Sequence, residues 1–228
     1  MNERLATILR VALVLAYPVL AHVAGSLHDG RYASLALADL ALIALLRPLL
    51  QGRAWAWTSL GVTCVTLAWL GRSGLSLEPL LLVPAAIVGG AAWMFARTLR
   101  GVPLITRMVA GLDGIPPAQL SPALLRYTRT LTVSWAVLLS AVALVNLLLA
   151  LLAVPDGLLA SNGISPPLAV SHRQWSWATA LDFALMIGFF LVEFAVRQRR
   201  FPGRYRNLWD FLRRISRLGP AFWRDIAR

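Results

Sequence analysis

Long apolar stretches alternate with short arginine-bearing connections along this chain, a pattern that predicts helices crossing a bilayer rather than wrapping a soluble core. A transmembrane helix needs about 20 mostly apolar residues to cross a hydrocarbon layer about 30 Å thick. Six stretches reach or approach that length: residues 5–27, 33–50, 54–71, 75–96, 130–154 and 177–196. The second and third are the shortest, and Gly52 with Arg53 makes a very tight turn between them. A re-entrant pair is the alternative for those two.

Three segments lie outside the spans. In 97–129, Pro103 precedes Leu104, Ile105, Met108 and Val109, a spacing that predicts a short helix lying on the membrane. The run Asp113-Gly114-Ile115-Pro116-Pro117 breaks it. Ser121-Pro122 then supplies an N-cap and a first-turn proline, from which a helix runs unbroken past Arg126 and Arg129 into the fifth span. Residues 155–176 read as a loop punctuated by Pro155, Gly157, Gly163, Pro166 and Pro167. In the tail, Leu208, Leu212, Ile215, Leu218 and Phe222 recur at helical spacing, with Arg213, Arg214 and Arg217 on the remaining surface. A basic amphipathic helix of this kind reads as a membrane-surface helix drawn to anionic lipid, or as a docking helix for a partner protein. The expected fold is therefore all-α: a polytopic transmembrane helix bundle of about six spans over residues 1–200. An arginine-rich amphipathic tail, 201–228, completes it.

Composition supports the same picture. Hydrophobic residues make up 58% of the 228, charged residues 14%, and the mean hydropathy is +0.68. A soluble chain of this length needs more polar surface than that to cover itself. Net charge is +12, and all 22 basic residues are arginine. Their positions, tethered at span ends, argue for the membrane surface and against nucleic acid. Cys64 is the single cysteine, so no intramolecular disulfide or CxxC site exists. The first residues resemble a signal peptide, but Pro18 and His22 fit a retained first helix.

The arginines also set the expected orientation. One side receives Arg4, Arg10, Arg47, Arg53, the five of segment 97–129 and ten from Arg197 onward; the other receives Arg31, Arg72 and Arg173. The positive-inside rule makes the richer side cytoplasmic, with both termini on it, as in a bacterial inner-membrane protein. Trp55, Trp57, Trp69, Trp93, Trp135, Trp175 and Trp177 fall near span ends, where indole rings prefer the headgroup level.

Ionisable groups within spans are costly and are candidates for function by default. His22, Asp39, Glu78 and Asp182 all fall in the outer halves of their spans and form a candidate polar cluster. Helix glue is the alternative reading, with Arg31, Arg72 and Arg173 as counter-ions. Glu193 stands four residues before Arg197, the spacing of a helical salt bridge. Asp182 and Glu193 are 11 residues apart, which places them on one helix face, and Asn146 is positioned to hydrogen-bond across it. Arg100, Arg107, Arg126 and Arg129, with Arg213, Arg214 and Arg217, are candidate contacts for lipid or an acidic partner. The chain carries no HExxH, GxSxG, P-loop or dinucleotide glycine pattern. No residue set points to catalysis, a metal or a cofactor.

Two stretches carry a resemblance. Pro103-Leu104-Ile105-Thr106-Arg107, and residues 126–135 from Arg126-Tyr127-Thr128-Arg129 through Trp135, resemble a family of small bacterial membrane proteins without an assigned reaction. Members of that family are often encoded with enzymes for aryl-polyene and xanthomonadin-type pigments. The resemblance is best over 97–202, includes Val192-Glu193-Phe194 and Phe201-Pro202, and is weak over the first three spans. It implies an accessory or scaffold role beside pigment or fatty-acyl assembly, with acyl carrier proteins, typically acidic, as expected partners. A small transporter or flippase for a lipid-like product, using the outer polar cluster, is the second expectation.

Overall fold

The computed structural model describes residues 3–27, 29–73, 77–155 and 157–201, together with the isolated positions 209 and 213. Helices dominate: α1 (Glu3–Leu27), α2 (Gly30–Leu50), α3 (Ala54–Ser73), α4 (Leu77–Thr98), α5 (Leu104–Asp113), α6 (Pro122–Leu152), α7 (Leu158–Ser161) and α8 (His172–Arg200). Two-residue strands, β1 (Ala153–Val154) and β2 (Val170–Ser171), pair in parallel and close the segment between α6 and α8. The fold is all-helical, and among the described residues five helices (α1, α2, α4, α6 and α8) are long and apolar enough to cross a membrane. Helix α3 forms as expected but is not one of the five. Its tryptophans, threonines and two glycines dilute an otherwise apolar run. Large apolar side chains lie bare on these helices, Ile8 at 65% and Val137 at 63% exposure among them. Water would not tolerate that surface; lipid does.

The chain divides into two compact units, Met1–Val83 and Pro84–Arg228. In the first, small residues set the packing. Ala24 on α1 and Ala33 and Ala36 on α2 are fully buried, clustered with Leu80. Side chains this short let helix backbones approach closely, the usual device for packing where lipid supplies no hydrophobic drive. Helix α2 starts on an Asp29 cap, whose Oδ1 accepts from the Arg31 amide at 2.8 Å. It also meets α3 through Ser34, whose Oγ donates to the Leu67 carbonyl at 3.0 Å. Gly71 keeps that contact open, since a Cβ there would come within 2.7 Å of Ser34 Oγ. The α2–α3 turn closes on Gly52 at φ 68°, the left-handed region that glycine adopts without strain.

In the second unit α5 docks on α6. Pro103 is the N-cap residue of α5, Thr98 Oγ1 accepts the first helical amide, Leu104, at 3.0 Å, and left-handed Gly114 ends the helix with its amide on the Ala110 carbonyl. Ile105, Val109 and Ala110 are buried with Leu120, Leu124 and Leu131. The apolar face of α5, expected to meet the membrane, is covered by protein instead. Helix α6 begins where Ser121 and Pro122 predict, with Ser121 Oγ accepting the Leu124 amide, and runs unbroken to Leu152. Helix α8 starts five residues before the apolar run, because Ser171 and Gln174 form a capping box there. The expected amphipathic tail helix, with Arg214 and Arg217, lies outside the described residues; Trp209 and Arg213 are both exposed.

Candidate functional site

The polar groups of the second unit gather along α6 and α8, which run antiparallel beside each other. Two layers result. Near the arginine-rich ends of these helices, Glu193 and Arg197 form a buried, two-pronged ion pair. Arg197 Nε donates to Glu193 Oε1 at 2.7 Å and Nη2 donates to Oε2 at 2.7 Å. The hydroxyl of Tyr127 on α6 donates to the same Oε1 at 2.9 Å, so the carboxylate joins the two helices. Phe201 meets the Tyr127 ring edge-on at 5.3 Å, and the Arg200 guanidinium lies 5.8 Å from its centre.

The second layer lies nearer the other end. Asn146 Nδ2 donates to Asp182 Oδ2 at 2.6 Å and to its own helix at Val142. Asp182 and Glu193 are both buried, as their shared face requires. Between the layers the helices meet through aromatic rings, Trp135 and Phe189 edge-on at 4.8 Å.

Threonines tie α5 to α6. Thr106 and Thr128 share a hydroxyl hydrogen bond of 2.7 Å, and Thr132 Oγ1 accepts the Ile105 amide at 3.4 Å. Thr128 and Thr132 also return hydrogen bonds to their own helix at Leu124 and Thr128. Sequence reasoning gives Tyr127 and these threonines a place in the family resemblance but no structural role. Its available signal was the four-residue spacing of Thr128 and Thr132, which puts both on the face carrying Leu124 and Leu131.

Of the outer polar cluster, His22 is exposed, Glu78 half-buried and Asp39 buried, all three in the first unit. Asp182 belongs to the second unit, where its partner is Asn146 rather than a loop arginine. Asp39 Oδ2 is buried without a hydrogen-bond partner among the described residues.

Of the five arginines in residues 97–129, four are the candidate contacts for lipid or an acidic partner. Arg100, Arg126 and Arg129 are exposed and Arg107 is half-buried. Two are held by backbone: Arg107 Nε donates to the Val102 carbonyl at 3.1 Å and Arg129 Nη2 to Leu99 at 3.4 Å. Between α6 and α8 opens a groove of about 600 Å³, lined mostly by apolar side chains with Thr130 and Ser134; exposed Arg126 and Arg200 stand at its lip, and half-buried Tyr127 with buried Glu193 lies deeper. Among the described residues no three His, Cys, Asp or Glu side chains gather in a way that would hold a metal ion. Comparison with protein-family models, with curated proteins and with solved structures finds no match to this chain.

Proposed function

We propose that the chain is a six-span inner-membrane protein with both termini in the cytoplasm, acting as a non-enzymatic scaffold beside aryl-polyene or fatty-acyl assembly. Its arginine-rich face would dock acidic partners, acyl carrier proteins foremost, with the tail arginines 213, 214 and 217 holding anionic lipid of the inner leaflet. One observation carries the reading: α5 is fixed to α6 by a packed core and threonine hydrogen bonds, so Arg100, Arg107, Arg126 and Arg129 stand on a firm platform. Pre-set positive charge raises association rates with acidic proteins, and guanidinium groups take phosphate and carboxylate two-pronged. The internal polar groups of the same unit are spent on one another, as expected of groups that hold helices together.

The chain in neutral-lipid nanodiscs should bind an acyl carrier protein, and more weakly as salt rises. Replacing Arg100, Arg107, Arg126 and Arg129 by Gln should weaken binding on the order of tenfold or more, measured by biolayer interferometry. Binding unchanged by salt and by the four substitutions rejects the platform.

A second reading, a small transporter for a lipid-like product, is favoured by one observation, the unpartnered buried oxygen of Asp39. An uncompensated polar group inside a span is costly and marks ligand or proton paths. Asp39→Asn and Asp182→Asn separate the two. A scaffold keeps most product output with both variants, measured as extracted product per cell. Product made in normal amount but held in the inner membrane would promote the transporter.

A further inference from the structure

We infer that the groove between α6 and α8 is a binding site for one anionic phospholipid of the surrounding bilayer. Its two ends differ in chemistry. Arg126 and Arg200 stand at the lip, while Leu131, Phe189, Val192 and Val196 form the walls. From Arg126 to Ser134, also a lining residue, α6 advances about 12 Å, so the groove starts among arginines and ends inside the apolar run. That is the profile of a phospholipid near its headgroup: phosphate outermost, hydrocarbon below.

Charge fits the same occupant. The carboxylate deeper in the groove is Glu193, and both its oxygens are already engaged by Arg197 and Tyr127. It therefore opposes an incoming phosphate less than a free carboxylate would, and the lip presents two guanidinium groups. Arginine is the side chain best shaped for two-pronged phosphate contact. The volume, about 600 Å³, falls within the range of sites that enclose small ligands, about 300–1,000 Å³. Val192 is 63% exposed, so the groove is open on its flank. A lipid can enter sideways without leaving the bilayer, which favours it over a chain delivered from water. The inference goes beyond the scaffold reading and does not depend on any carrier protein.

The test is native mass spectrometry of the full chain released from nanodiscs of phosphatidylglycerol or of phosphatidylcholine. One phosphatidylglycerol should stay bound per chain, and phosphatidylcholine should not. Arg126→Gln with Arg200→Gln should lower retention about thirtyfold, each arginine contributing about fivefold, while the melting temperature holds. Val192→Trp, which fills the groove and keeps both charges, should also lower it. Arg173→Gln, at the far end of α8, should leave it unchanged. Equal retention of both lipids, or equal loss from Arg173→Gln and the groove variants, would overturn the proposal. So would displacement of the bound lipid by equimolar oleate or acyl-phosphopantetheine, which would assign the groove to a different amphiphile.

Discussion

Glu193→Gln should destabilise the second unit by about 3–5 kcal/mol, the cost of leaving a buried guanidinium without its counter-charge. The expectation rests on geometry: Arg197 is buried, and Glu193 accepts both of its described charged hydrogen bonds. Two companion variants separate this cause from a general loss of packing. Tyr127→Phe removes one donor but leaves the ion pair, and should cost about 1.5 kcal/mol. Glu193→Leu combined with Arg197→Met removes both charges together and should recover most of the stability, because a buried pair earns little against apolar residues of similar size. Denaturant unfolding in mild detergent measures all three. A Glu193→Gln protein as stable as the parent would mean that the pair holds nothing together.

The other large effect should come from Leu124→Ala. Leu124 lies in the core that clamps α5 to α6, together with Ile105, Val109 and Leu131. In the proposed topology this region sits in water rather than lipid, so the full hydrophobic penalty applies and truncation leaves a cavity. The expected cost is about 3 kcal/mol, within the range of about 2–5 for such changes. The loss should be local. Amide exchange over 104–113 should speed up by on the order of a hundredfold, while the amides of α8 keep their protection. Uniform acceleration across both helices would show that α5 is not a separately docked arm.

The sequence was most informative where local chemistry decides. Ser121-Pro122 announces a helix start, and Gly52 and Gly114 announce turns, because capping and left-handed backbone depend on neighbours within a few residues. The Glu193–Arg197 pair follows from a four-residue spacing alone. Less could be read where the partner is distant. Tyr127 reaches Glu193 across 66 residues, and that contact depends on the register of α6 against α8, which no single-helix pattern carries. Thr106 with Thr128 is the same case. The α5 stripe was legible as apolar but not what covers it, since lipid and a neighbouring helix ask for the same residues. Helix α8 outran its apolar segment for a further reason: hydropathy marks what lies in lipid, whereas the helix continues to wherever it is capped.

The scaffold reading hangs on which side of the membrane the arginine-rich connections occupy, and its six spans on α3 crossing despite its weaker hydropathy. Paired fusions of green fluorescent protein and alkaline phosphatase decide both at once. Fusions after Arg53, after Asp113 and at the C-terminus should fluoresce and lack phosphatase activity. Those after Asp29, Ser73 and Asn162 should show the reverse. Phosphatase activity at Asp113 or at the C-terminus would contradict a cytoplasmic arginine platform, and a fluorescent, phosphatase-silent fusion after Ser73 would contradict six spans.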